Sequence, residues 1–246
     1  MLLTAETAKS TASGHDPALL GTAGPREDAS NQITDNIRRC LNVIVALVAF
    51  VVALPLMAFV GLLVKLTSPG PVLYRQPRVG LDRRWDRPVS AEAASRRQVD
   101  HGGRLFWIYK FRTMHVAPPD AAQRWATRDD PRVTAIGRYL RRYRLDELPQ
   151  LWNVLRGDMN LVGPRPEQPG IFAQLRGQIP HYDKRQRVLP GITGLAQISQ
   201  HYDQCLDDVK RKVNFDLEYI GKVSPLQDVN ILLKTLPAVV FRRGGW

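Results

Sequence analysis

The sequence predicts an α+β fold, mostly helical, held at a membrane by one N-terminal hydrophobic helix that is kinked at a proline and re-entrant, with amphipathic helices at the lipid interface. Three observations predict it. Residues 41–64 (LNVIVALVAFVVALPLMAFVGLLV) form a run of 24 residues without a charge. Two short segments, VLYRQ and RLFWIYKFRTM, are rich in aromatic and β-branched residues, as strands are. Apolar residues then recur at helical spacing through much of the C-terminal half. The expected organisation is a disordered polar tail at 1–36, a membrane-inserted helix at 37–66, and a cytoplasmic domain at 67–246 carrying a loop insertion at 81–103.

Each element follows from local chemistry. Residues 1–36 are rich in Ala, Ser, Thr, Gly and Asp and lack apolar periodicity, the composition of a disordered tail. A long polar stretch precedes the first apolar run, which is the wrong order for a cleavable signal peptide. The uncharged run would extend roughly 36 Å as a helix, against a hydrocarbon core of about 30 Å. Pro55 lies near its middle, removes an amide donor and favours a kink. Arg38 and Arg39 on one flank and Lys65 on the other give no clear topological bias. A re-entrant helix, whose two cationic ends share one face of the bilayer, satisfies both flanks. A simple span and a buried soluble helix are the alternatives.

Pro69-Gly70-Pro71 marks a turn, and the polar, Arg-rich residues 81–103 read as a loop. Helical periodicity resumes at Ile136, Leu140 and Tyr143, and again at Leu148, Leu151, Trp152 and Leu155. Residues 157–200 read mainly as loops, because VLPGITGLAQIS scatters Gly and Pro among apolar residues. Two closing helices are expected, at 206–220 and 226–241. The second carries Val229, Leu232, Leu233, Leu236, Val239 and Val240 on one side, as in a core helix or one lying in the lipid interface.

The formal charge of +12 is unevenly placed. Residues 1–36 hold two basic and five acidic residues, whereas the stretch from Arg104 to Arg144 holds ten Lys/Arg and three Asp. Such a field attracts polyanions: nucleic acid, anionic lipid headgroups or a nucleotide diphosphate. Cys40 and Cys205 give neither a disulfide framework nor metal-ligand spacing, and none of the five histidines pairs at i, i+4.

The chemistry concentrates in GRYLRRYRLDELPQLWNVLRGDMNLVGPRPE. Asp146 and Glu147 are adjacent, and Pro149 favours a helix start close by. Asp146 is therefore either an N-cap or a nucleophile whose ionised form a helix start favours, with Glu147 as an oxygen ligand for a divalent cation. Arg138, Arg141, Arg142 and Arg144 are either a solvated helix face or a clamp for phosphate oxygens, Arg138 and Arg141 lying one turn apart. Arg165, between Pro164 and Pro166, belongs either to an ordinary rigid turn or to a site that needs its side chain fixed. Lys110 and Arg112 share a face if their segment is a strand, whether wet or functional. There is no P-loop, no Rossmann fingerprint and no Gly-x-Ser-x-Gly elbow.

TSPGPVLYRQPRVG, FWIYKFRTM, DPRVTAIGRYLRR, RLDELPQLWNVLRGDMNLVGPRPE and PGITGLAQIS, in this order after a hydrophobic helix, closely resemble the bacterial sugar transferase family. These are monotopic polyprenyl-phosphate phosphoglycosyltransferases that initiate exopolysaccharide, O-antigen and glycan assembly. The resemblance covers roughly residues 37–246. No multi-helix membrane domain precedes the apolar run, so it is the short form that the chain resembles. The resemblance implies transfer of a sugar 1-phosphate from a UDP-sugar to undecaprenyl phosphate, with release of UMP, at the cytoplasmic face of the bacterial inner membrane. By motif position it makes Asp146 the nucleophile that forms an acyl-phosphate and Glu147 the ligand of a Mg²⁺ cofactor. Arg141 would meet a substrate phosphate, Pro164, Arg165 and Pro166 would line the uridine side, and Lys110 and Arg112 would support them.

Two departures from the family pattern stand out. Leu54 occupies the place before the hairpin proline where the family often has Ser, and the 81–103 segment is longer than usual. Membrane lipid is an implied partner and nucleic acid is not, while self-association and contact with downstream glycosyltransferases stay open. The competing reading is a membrane-tethered basic protein that binds nucleic acid or anionic lipid without catalysis, though no recognised nucleic-acid module is present. A relative that kept the fold and lost activity is the third possibility, against which stand the intact Asp146, Glu147 and Arg165.

Overall fold

The computed structural model of the chain describes residues 25–83, 100–116, 130–200 and 205–240. It is mostly helical, with two small sheets. Helix α1 (Pro25–Thr67) comes first, then strands β1 (Leu73–Val79) and β2 (Leu105–Phe111), helix α2 (Ala135–Arg142), a 3₁₀ turn (Leu145–Glu147) and helix α3 (Gln150–Arg156). Strand β3 (Asn160–Val162), helix α4 (Pro169–Gln178), a 3₁₀ helix (Tyr182–Arg187), strand β4 (Gly191–Thr193) and helices α5 (Leu195–Ser199), α6 (Leu206–Gly221) and α7 (Pro225–Val240) complete it.

The expected hydrophobic helix is present but longer. Residues 25–36, expected to be part of a polar tail, are the first turns of α1, and residues 1–24 of that tail lie outside the described residues. Just beyond these turns, Arg38 ties the helix to the domain by contacts that periodicity cannot reveal. Arg38 Nε donates to Asp228 Oδ2 (3.0 Å) and Arg38 Nη2 to the Tyr219 hydroxyl (2.9 Å). Pro55 lies inside α1 without ending it.

From Ile33 to Thr67 the helix has a mean hydropathy of 3.0 in its most apolar stretch, long and apolar enough to cross a membrane. Only 11% of that stretch is buried inside the protein, which argues against a core helix. A narrow stripe does pack inward. Arg38, Asn42, Ala46, Val60 and Val64 are buried, whereas Val48, Val52, Phe59 and Leu62 face outward. The stripe follows helical spacing and runs about 39 Å along the domain from Arg38 to Val64.

β1 and β2 pair antiparallel, with Tyr74 opposite Lys110 and Pro77 opposite Trp107. In a two-stranded ribbon, a proline's missing donor can face the unpaired edge, which is why Pro77 is tolerated. The loop joining the two strands contains the expected 81–103 insertion, of which 84–99 lies outside the described residues. β3 and β4 pair in parallel, so the 157–200 region is more ordered than its loop-like composition predicts. Gly163 and Gly191 make this possible: a Cβ at Gly163 would meet the Leu189 carbonyl, and one at Gly191 would meet the backbone nitrogen of Gly163. The closing helices lie close to their expected positions, and Phe241 falls outside the described residues.

Three apolar clusters hold these pieces together. Ala46 of α1 packs with Leu151 and Val154 of α3 and with Leu161 and Val162 of β3. Val60 and Val64 pack with Phe111 and Leu140. Phe172, Tyr182, Val209 and Val213 close α4 against α6. α2 rests on the chain just beyond β2 through Gly137, where a Cβ would meet the Thr113 carbonyl oxygen, and the Thr134 hydroxyl caps the helix at Gly137 N (2.9 Å).

An alanine in place of glycine at an open helical position gains about 1 kcal/mol. At Gly137 the sign should reverse. Gly137→Ala is expected to lose about 1–3 kcal/mol from overpacking, read as a lower denaturant midpoint in detergent.

Candidate active site

The acid pair does not begin a helix. Arg144 adopts a left-handed backbone (φ 57) after α2, the chain makes the 3₁₀ turn Leu145–Glu147, and α3 starts only at Gln150, with Pro149 as its N-cap residue. Asp146 is therefore not the N-cap that Pro149 seemed to announce. The turn lets two adjacent carboxylates reach one site, which a mid-helix pair separated by about 100° would not do. Both acids are buried, Asp146 at 7% exposure and Glu147 at 8%.

Glu147 is tied down on one oxygen. Its Oε1 accepts from Lys110 Nζ (2.9 Å) and Arg165 Nη2 (2.7 Å), and Arg144 Nη1 stands 3.8 Å away. Burial by itself would raise its pKa, but Arg165, Lys110 and Arg144 outweigh burial and hold the carboxyl well below the usual range. Asp146, one residue earlier, is the opposite case. No hydrogen bond reaches its carboxylate from the described residues, and burial pushes its pKa up. The nearby charges of Lys110, Arg141 and Arg165 oppose that rise, and the charge of Glu147 adds to it. A helix start would depress this pKa, but the acid lies on a 3₁₀ turn and desolvation dominates.

Burial also lowers the pKa of Lys110, against the pull of Glu147. Arg141 is held by Nε to Thr113 Oγ1 (2.9 Å), close enough to act on Asp146. Arg138 and Arg142 are exposed, so the arginine run is divided between a solvated face and the site.

The Pro-Arg-Pro turn is held by its backbone. The Pro164 carbonyl accepts from Gly191 N (3.0 Å), the Pro166 carbonyl from Arg78 Nη1 (2.9 Å), and the Arg165 carbonyl from Arg185 Nη2 (3.0 Å). Arg112 is not at the acid pair. It donates to the carbonyls of Ser68 and Pro69 (2.7 Å each), fastening the turn after α1. The Arg112 backbone still pairs across the ribbon, its N donating to the Val72 carbonyl (2.9 Å), but the Ser68–Pro69 turn takes its guanidinium, whereas Lys110 goes to Glu147.

The sequence reading missed a buried layer beneath this turn. Arg185, 1% exposed, pairs with Asp216 (2.7 Å), and Glu167 Oε1 accepts from Lys212 Nζ (2.8 Å) with Arg78 Nη1 3.9 Å from Oε2. Arg78 and Glu167 sit inside the quoted motifs QPRVG and GPRPE, which was the available signal. Arg185, Lys212 and Asp216 carried none beyond their charge. Burial raises the Glu167 pKa, but Lys212, Arg185 and Arg78 bring it down to about 2.

A protein-only metal cage of three or more His, Cys, Asp or Glu is absent among the described residues. Mg²⁺ does not require one, since one or two carboxylates suffice when substrate phosphates and waters complete the shell. The donor set fits that case: Lys110, Arg165 and Arg144 approach Glu147 at Oε1, and a second buried carboxylate, Asp146, is the adjacent residue on the same turn.

The profile of the family described as "Bacterial sugar transferase" matches residues 33–242. The chain is similar to a UDP-N-acetylgalactosamine-undecaprenyl-phosphate N-acetylgalactosaminephosphotransferase of Aeromonas hydrophila, with 39% identity over 204 residues, 83% of this chain and 44% of that protein. It is similar to a UDP-glucose:undecaprenyl-phosphate glucose-1-phosphate transferase of Caulobacter vibrioides, with 39% identity over 207 residues, 82% of this chain and 69% of that protein. The exopolysaccharide production protein ExoY of Sinorhizobium fredii is 34% identical over 228 residues, 85% of this chain and 88% of its own length. The match spans less than half of several larger curated relatives, 44%, 37% and 39% of their lengths.

The two acids should respond oppositely to neutralisation. Asp146→Asn removes a buried charge that no hydrogen bond from the described residues satisfies and is expected to leave the melting temperature in detergent unchanged or higher. Glu147→Gln strands Lys110 and Arg165 and is expected to cost about 3 kcal/mol. Glu167 predicts an acid limit. Its stabilisation is complete above its unfolded value of 4.5 and is lost as the pH falls toward the folded value of about 2. Glu167→Gln should flatten stability against pH in that window.

Proposed function

The chain belongs to the bacterial sugar transferase family, and from that premise we propose that it transfers a sugar 1-phosphate from a UDP-sugar to undecaprenyl phosphate through a phosphosugar-aspartate intermediate. The observation that carries this reading is the contrast within the acid pair. Asp146 is a buried carboxylate that accepts no hydrogen bond from the described residues, and Glu147 beside it is fixed by Lys110 and Arg165.

In the first half-reaction an Asp146 Oδ attacks the β-phosphorus of the UDP-sugar. The bond from that phosphorus to the bridging oxygen breaks, and UMP leaves. In the second, a phosphate oxygen of undecaprenyl phosphate attacks the same phosphorus. The acyl–phosphate bond then breaks, giving the undecaprenyl diphosphate sugar and regenerating the carboxylate. Neither step needs a proton on Asp146, so the site needs an ionised nucleophile and positive charge around the diphosphate. Lys110, Arg141, Arg144 and Arg165 surround the two carboxylates and leave a net positive field for the donor. Arg141 is oriented toward a phosphate by Thr113. Pro164 and Pro166 restrict the backbone that carries Arg165 toward the uridine side. Mg²⁺, when bound by Glu147 and the substrate, supplies further charge neutralisation at the diphosphate.

The domain works at the cytoplasmic face of the bacterial inner membrane, with α1 entering and leaving the bilayer on one side. The packing of α1 supports this: both its Arg38 end and its Val64 end touch the same domain, which a simple span would separate. Three similar proteins carry undecaprenyl phosphate in their names, with glucose or N-acetylgalactosamine as the sugar, and no residue here is assigned to choosing between sugars.

Asp146→Asn is expected to lower UMP release from a UDP-sugar and undecaprenyl phosphate by about 10⁴-fold or more, in a protein that still folds. Wild-type protein given donor alone should accumulate a hydroxylamine-sensitive phosphosugar adduct. Turnover retained in the variant would remove the nucleophile assignment. Because burial raises the Asp146 pKa in the free protein, the acid limb of kcat/KM should lie above the ordinary aspartate value of about 3.9, with activity lost as the pH falls through it.

A further inference from the structure

α1 contributes three polar side chains to the interior of the domain within little more than one turn. Asn42 is 5% exposed although it lies in the uncharged run. Its Oδ1 accepts from Leu161 N of β3 (2.6 Å), and its Nδ2 donates to the Arg38 carbonyl (2.7 Å), so both ends of the amide are used. Arg39 reaches the other side and donates to the carbonyls of Leu155 (3.2 Å) and Met159 (3.4 Å), where α3 ends. Arg38 holds Asp228 and the Tyr219 hydroxyl, and that hydroxyl lies 3.2 Å from the Val162 carbonyl.

These contacts fall on the two segments that carry the acid pair and its partner. α3 continues from the turn bearing Asp146 and Glu147. β3 leads through Gly163 to Arg165, whose guanidinium meets Glu147 at 2.7 Å. β3 pairs with β4 along one edge. At its other edge the Leu161 amide would be an unpaired buried donor, and Asn42 satisfies it. Ala46, one turn on, packs between α3 and β3 in the same apolar cluster.

We propose that Asn42 of the hydrophobic helix is a positioning residue for the transfer reaction: it fixes β3, and thereby sets Arg165 against Glu147, while Arg39 fixes α3 behind the acid turn. The helix is then a wall of the active domain as well as a membrane anchor. This inference rests on the reading given under Proposed function. A misplacement of about 1 Å far from the reacting atoms can lower a rate 10²-fold, so the effect belongs in kcat.

The test uses the full chain in native membranes with UDP-sugar and undecaprenyl phosphate, and reads kcat, donor KM and membrane-bound fraction. Asn42→Leu keeps the bulk and removes the acceptor. It is expected to lower kcat at least about tenfold, with donor KM within about twofold and the membrane-bound fraction unchanged. Asn42→Gln keeps both an acceptor for Leu161 and a donor for the Arg38 carbonyl and should return kcat to within about threefold of wild type. Wild-type kcat in Asn42→Leu, or an equal loss in Asn42→Gln, would overturn the proposal. If Asn42→Leu does not accumulate, Arg39→Met is the second variant. It is expected to lower kcat with KM kept, and wild-type kcat there would equally overturn the proposal. An inactive wild-type chain would instead defeat the transfer reading itself, so the two failures are distinguishable.

Discussion

The Glu147 carboxylate is the point at which three separate pieces of chain are brought into register. Lys110 comes from β2, Arg165 from the Pro-Arg-Pro turn, and Glu147 itself from the 3₁₀ turn after α2. A buried charge is tolerated only when paired, and here Lys110 and Arg165 both rest on the Glu147 carboxylate, which offsets the repulsion between them. This constraint explains the backbone around it. Arg144 takes up a left-handed conformation to turn the chain, Gly137 lets α2 lie on the Thr113 carbonyl, and Gly163 and Gly191 bring β3 and β4 together.

Asp146 and Glu147 show how strongly environment divides chemically similar neighbours. Both are buried to nearly the same extent. One is surrounded by hydrogen-bonded cations and stays ionised far below the usual range, and the other feels cations only at a distance, so burial raises its pKa. In the proposed reaction that division is useful, because a carboxylate held by many donors is a poor nucleophile and one with open lone pairs is a better one. The buried pairs Arg185–Asp216 and Lys212–Glu167 sit behind the Pro-Arg-Pro turn, and Arg185 binds the carbonyl of Arg165 directly. They act on the site through the backbone.

The hydrophobic helix ties this arrangement to the membrane. Its outward faces are apolar and exposed, while its inward stripe carries Arg38, Arg39 and Asn42 as well as Ala46, Val60 and Val64. Polar groups in such a helix demand satisfied partners, and here the partners belong to the domain.

The sequence by itself determined the apolar helix, the β1–β2 strands, the two closing helices and the family, because hydrophobic periodicity and a long motif block are local signals. It also singled out Asp146, Glu147, Arg141, Lys110 and Arg165, which the fold brings together. Only the tertiary structure decided that the acids sit on a 3₁₀ turn and that Arg112 fastens the α1–β1 corner. Only it showed that residues 25–36 are helical, that 157–200 contains a parallel strand pair, and that Arg78 and Arg185 bind the backbone of the Pro-Arg-Pro turn, with Glu167 buried beside them and Asn42 bound to β3. The physical reason is common to all of these. A hydrogen bond between residues more than a hundred positions apart, such as Leu161 to Asn42, leaves no periodic trace in either segment. Likewise, the pKa of a carboxylate depends on how deeply the fold buries it and which charges the fold brings near.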